Sequence, residues 1–183
     1  MRSVLEACVP RQELLTGTFN PEVFTPSLEP IIQYYRGSSS AAIDTVYTDP
    51  RLFFTEATYP TIGLKQVLEG VFGRIAGDMM YPAIHRLETS FGGGKTHALI
   101  ACTHLAYNGV DLADVTGNLI PSELLPDPGS VTVVGISGDT LDVHSRKGAS
   151  LQPYTLWGEI ARQVGGDELY REVEADAVSP AAP

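Results

Sequence analysis

The chain of 183 residues carries 22 acidic against 12 basic side chains, a formal net charge of −10 and a pI near 4.7. With 43% hydrophobic and 19% charged residues it has enough apolar surface for one ordinary core, which excludes a chain disordered throughout. A mean hydropathy of +0.02 without an apolar run of bilayer length argues against a membrane protein, and the dispersed acid excess leaves no basic stripe to neutralise nucleic-acid phosphates.

The opening MRSVLEACVPRQE places an acid and a proline where a signal peptide needs an apolar stretch, so a cytoplasmic location is expected. Cys8 and Cys102 fall in no metal-ligand spacing and suggest neither a disulfide nor a zinc site. Between Thr25 and Arg36, Ser27 can cap a helix whose first turn tolerates Pro30, with Leu28, Ile31, Ile32 and Tyr35 at helical spacing. Gly37 to Ser40 reads as a loop. Asp49 followed by Pro50 is a second cap, opening a short helix through Arg51, Leu52, Phe53 and Phe54. After the break at Tyr59-Pro60-Thr61, the spacing of Leu64, Val67, Leu68, Val71, Phe72 and Ile75 predicts an amphipathic helix from Gly63 to Ala76, stopped by Gly77-Asp78.

Tyr81 to Leu87 has the length and bounding breakers of a strand. Lys95 to Tyr107 is apolar around most of its circumference and predicts a buried helix ending at Asn108-Gly109. Val131 to Ile136 is the most strand-like run, and strand, helix, strand implies a parallel crossover. Pro153 to Val164 predicts a helix with Leu156, Trp157, Ile160, Ala161 and Val164 inward and Gly165-Gly166 as terminator, followed by a short charged helix around Leu169 to Val173. Ala175 to Pro183 offers nothing to pack and is expected to be disordered. The expected organisation is a mainly helical N-terminal extension over 1–80, a partial P-loop nucleotide-binding core over 81–174, and a tail over 175–183. The expected fold class is α/β, P-loop NTPase-like, with a partial parallel sheet flanked by helices.

The run Thr89-Ser90-Phe91-Gly92-Gly93-Gly94-Lys95-Thr96 lies between the expected strand and the buried helix, the context a phosphate-binding loop requires. Glycines let backbone N–H groups turn in around phosphate oxygens at the positive end of a helix. Lys95 would reach the β- and γ-phosphates, and the Thr96 hydroxyl would join the shell of Mg²⁺. The pattern departs from the usual motif at its first position, where Thr89 stands in place of glycine. His97 follows and could touch or sense a phosphate, or simply pack. Hydrolysis needs an acid at the end of another core strand to hold Mg²⁺; Asp139, beyond the run Val131 to Ile136, is the candidate, and the alternative for it is a turn residue. Asp142 and His144 lack a third metal ligand. Trp157 reads as core, and Tyr59 as a face that could stack on adenine.

Several blocks together resemble the large AAA-type P-loop ATP-binding proteins of bacterial phage-defence islands, of the phage growth limitation protein Y and bacteriophage-exclusion type. They are Cys8-Val9-Pro10-Arg11, Phe53-Phe54, Thr58-Tyr59-Pro60-Thr61 with Gly63-Leu64, Leu87 to His97, and Thr155 to Ala161. Thr89 at the first motif position and His97 after Thr96 are features of that family. The resemblance implies an ATP–Mg²⁺ module held by Thr89, Gly92, Gly93, Gly94, Lys95, Thr96 and His97, with Thr96 toward Mg²⁺. It also implies the N-terminal part of a larger ATPase, since the acidic Walker B strand of relatives would follow the tryptophan-bearing helix. Hydrolysis by this chain alone is then expected to be weak or absent. Homo-oligomers or other defence proteins are the implied partners. A small-molecule kinase would need arginines over the phosphates, and only Arg146-Lys147 pair up; an interaction module with an empty loop is the other alternative.

Overall fold

The computed structural model describes residues 12–17, 26–37, 45–90, 92–136 and 155–177. Helix α1 is Gln12–Thr16 and α2 is Leu28–Tyr35. Ser27 sits at the N-cap of α2 in an extended conformation, but its side chain makes no capping bond, in contrast to the expected one. Helix α3, Thr45–Thr48, leads into α4, Pro50–Leu52, where the Asp49 carboxylate accepts from the amides of Arg51 (2.8 Å) and Leu52 (3.1 Å). That anchors the first turn as expected for an aspartate cap. The chain then widens into a π-helical turn, Phe53–Ala57, rather than continuing as an α-helix. The Thr58 hydroxyl closes it by donating to the Phe53 carbonyl at 2.8 Å.

Helix α5 spans Ile62–Ile75, capped by the Thr61 hydroxyl, which accepts from the Leu64 amide at 3.2 Å. Its stripe buries Leu64, Leu68 and Phe72, while Ile75 at the end of the stripe is 43% exposed. Helix α6, Lys95–Asn108, supplies Ala98, Ile100, Ala101 and Leu105 to the same cluster, beside Phe53, Phe54 and Ile31. A fully buried Phe or Leu contributes about 1.5–3 kcal/mol, so the seam between α5, α6 and the π turn is the principal source of cohesion. A short 3₁₀ turn, Gly109–Leu112, and α7, Ala113–Thr116, close one end of the core with Leu112, Leu119 and Ile120.

The last described helix, α8, is Leu156–Ala177, broken where Gly165 and Gly166 leave helical geometry, so the two expected helices do meet at the expected glycines. The inward face differs from expectation. Ala161 is buried as expected, but Leu156, Trp157 and Val164 are about half exposed, and Gly158, Glu159 and Tyr170 are buried instead. Gln163 sets that rotation, because its side-chain amide accepts from the Gly135 N–H (3.0 Å) and donates to the Gly135 carbonyl (2.9 Å) and to Glu159 (2.7 Å). Ala175 to Ala177, expected to be disordered, belong to the helix; 178–183 lie outside the described residues.

The expected α/β P-loop NTPase fold is not what the chain forms. Among the described residues there is no β-strand and no sheet, so neither the partial parallel sheet nor the strand-helix-strand crossover exists there. Both runs read as strands have no strand partner and no regular secondary structure, and each lies against helices. Along 81–87, the Tyr81 ring lies on Gly73 and the His85 ring on Gly70, where any Cβ would fall 2.4 Å and 2.7 Å from ring atoms. Along 131–136, Gly135 lies against Ile32 of α2 and takes its hydrogen bonds from Gln163. β-rich composition measures fit to a half-buried extended surface, and here helix faces provide that surface. No helix among the described residues is long and apolar enough to cross a membrane.

Candidate functional site

The glycine-rich loop enters α6 through two left-handed residues, Gly92 (φ 78°) and Gly94 (φ 77°), conformations that glycine adopts without a Cβ penalty. Gly93 between them turns its amide to the Ser90 carbonyl at 3.1 Å, and a Cβ there would fall 2.2 Å from the Thr89 hydroxyl oxygen. Lys95, the first residue of α6, folds back over this turn. Its Nζ donates to the Thr89 carbonyl (3.0 Å), the Thr89 hydroxyl (3.0 Å) and the Ser90 carbonyl (3.2 Å). Thr96 and His97 follow, partly buried, in the first turn. Of the residues the sequence groups together, Thr89, Gly92, Gly93 and Gly94 lie in the turn before α6, and Lys95, Thr96 and His97 open the helix; Phe91 lies outside the described residues.

The loop forms one wall of a cleft of about 830 Å³. The remaining lining comes from the first turns of α5 (Gly63, Leu64, Val67), from Tyr59 before that helix, and from Ile84 to Glu88, which lead into the loop. Tyr59 is 79% exposed and Ile84 is 85% exposed. The lining combines the glycine-lysine loop with apolar and aromatic side chains (Tyr59, Leu64, Val67, Ile84) and with the charged Arg86 and Glu88, so the cleft offers both polar and apolar contacts to a ligand.

His97 is turned toward the protein. It stacks on Phe53 with ring centroids 4.6 Å apart and contacts the Thr58 hydroxyl at 3.0 Å. The Thr58 proton is directed to the Phe53 carbonyl, so His97 Nε2–H is the donor to Thr58 and Nδ1 is left as an acceptor. Burial lowers the His97 pKa, favouring this neutral form. The link from His97 to Thr58 and Phe53 escaped sequence reasoning because the partners are 39 residues apart and neither residue type marks such a contact.

A second polar cluster lies at the far end of α6. His104, fully buried, bonds the Tyr47 carbonyl through Nε2 (2.9 Å) and the Tyr35 hydroxyl through Nδ1 (2.6 Å). A carbonyl only accepts, so Nε2 carries the proton and Nδ1 accepts from Tyr35, whose oxygen in turn accepts from Asn108 at 2.8 Å. Burial pushes the Tyr35 hydroxyl upward and the His104 imidazole down to about 4. Cys102, a free thiol, is pushed up to about 12 by burial and is chemically quiet.

Asp139, Asp142, His144, Arg146 and Lys147 lie outside the described residues, as do Cys8 to Arg11. Trp157, read as core, is 51% exposed. Among the described residues no group of three His, Cys, Asp or Glu side chains is placed to hold a metal ion.

A family model for the DUF499 N-terminal domain matches residues 11–183, and the chain belongs to that family. No curated protein and no solved structure matches it.

Proposed function

We propose that this chain binds ATP with Mg²⁺ through the loop from Thr89 to His97, with hydrolysis weak or absent in the chain by itself, as the N-terminal part of a phage-defence ATPase. The observation that carries the reading is the Lys95 ammonium folded over Gly92–Gly94 at the N-terminus of α6, on the wall of the cleft. Amides and a helix dipole at that point favour an anion, and the lysine adds a full charge. Thr96, in the first turn, is the residue whose hydroxyl would meet Mg²⁺. Tyr59 and Ile84, exposed in the cleft lining, favour a nucleotide over a bare phosphate, since a base would cover them.

The test is calorimetry of ATP–Mg²⁺ and of tripolyphosphate–Mg²⁺ on the wild-type chain and Lys95→Ala, with phosphate release followed on the same samples. Both ligands bind wild type, ATP more tightly, and Lys95→Ala weakens both by at least about tenfold, the scale of a lost charge-assisted contact. A folded wild-type chain that binds neither ligand overturns the reading. Sustained phosphate release would replace the non-hydrolytic part of it and direct attention to an acid such as Asp139.

A further inference from the structure

We infer that Thr89 is a positioning residue: its hydroxyl holds the Lys95 ammonium over the glycine loop and so lowers the ordering cost of the lysine's contact with a phosphate. Of the three acceptors around Lys95 Nζ, two are backbone carbonyls that any residue supplies. The third, Thr89 Oγ1 at 3.0 Å, is the one that depends on the side chain at this position. Its orientation is suitable, because the Thr89 hydroxyl donates its proton to the Ser90 carbonyl at 3.2 Å and leaves its lone pairs for the ammonium. Its place is also fixed by packing, since the Thr89 side chain fills the space where a Cβ of residue 93 would stand. The hydroxyl and Gly93 are thus two halves of one arrangement, and a glycine at position 89 would supply neither the acceptor nor the filling.

A lysine side chain loses considerable rotamer freedom when it is fixed on a ligand. One already folded over the loop has lost part of that freedom before the ligand arrives, which is preorganisation. The affinity half of this inference rests on the phosphate-binding reading, whereas the restraint on Lys95 does not.

Limited acylation of the free chain with acetic anhydride, followed by mass spectrometry, compares Lys95 with Lys65 on α5 as the internal reference. Thr89→Val raises the Lys95 to Lys65 ratio by about threefold or more, as expected for the loss of one charge-assisted hydrogen bond, and Thr89→Ser restores the wild-type ratio. An unchanged ratio in Thr89→Val, or a Thr89→Ser ratio as high as that of valine, overturns the restraint. In parallel, Thr89→Val weakens tripolyphosphate–Mg²⁺ binding by about threefold to tenfold and Thr89→Ser recovers it. Equal affinity of wild type and Thr89→Val overturns the affinity half. A wild-type chain that binds no tripolyphosphate overturns the phosphate-binding reading and leaves the acylation result to decide the restraint separately.

Discussion

At its N-terminus α6 begins on Gly94, a left-handed glycine with no atom within 4 Å of where a Cβ would sit. At its C-terminus it stops on Gly109, where a Cβ would fall 1.7 Å from the Pro126 carbonyl oxygen that accepts the Val110 amide. The histidines divide in the same way. His104, near the closed end, has both ring nitrogens committed to Tyr35 and Tyr47, while His97, near the open end, has one committed to Thr58. The closed end spends its polar groups on internal bonds and contributes stability. The open end keeps backbone curvature and a lysine beside a cleft, and contributes a place for a ligand.

The largest effect expected from this contrast is a glycine exchange. Gly109→Ala destabilises by about 3 kcal/mol or more, because the new methyl meets backbone that cannot move aside, whereas Gly94→Ala costs about 1 kcal/mol for the left-handed conformation alone. Urea unfolding midpoints of the two variants compare them directly, and equal losses would break the contrast. Acid provides the next effect. His104 is held near 4 in the fold against an ordinary value near 6.5, so between those values the unfolded chain binds the proton and the folded chain does not. Stability therefore falls as pH drops from about 6.5 toward 4, by about 2 kcal/mol at pH 5. Denaturation at pH 7.5 and pH 5 measures this, and a flat response would contradict the buried neutral imidazole. The smallest effect is at the open end: Lys95→Ala shifts stability by no more than about 0.5 kcal/mol, since its bonds are solvent-exposed, and thermal melts check it.

What was legible in the chain was what neighbouring residues decide. The Asp49 cap, the period of the α5 stripe, the stop of α6 at Gly109 and the break at Gly165-Gly166 carry local signals, a capping side chain, helical spacing or a glycine, and each is present. The glycine-lysine loop was legible for the same reason. The sheet was misread because an extended run becomes a strand only when another run pairs with it, and sequence composition does not reveal that Gln163 or Gly70 will take the partner's place. The rotation of α8 that exposes Trp157, and the bond between Tyr35 and His104 across 69 residues, were hidden because they depend on distant parts of the chain.

The seating of Tyr81 on Gly73 and His85 on Gly70 acts as a ruler for the loop beyond it. The oxygens of Thr89 and Ser90 follow this segment a few residues on, whereas the ammonium they hold belongs to α6. A slide of one helix along the other by a single residue rise, about 1.5 Å, would lengthen these 3.0–3.2 Å contacts or oblige the lysine side chain to change rotamer to keep them. The Lys95 contacts thus tie the segment seated on one helix to the first turn of the other.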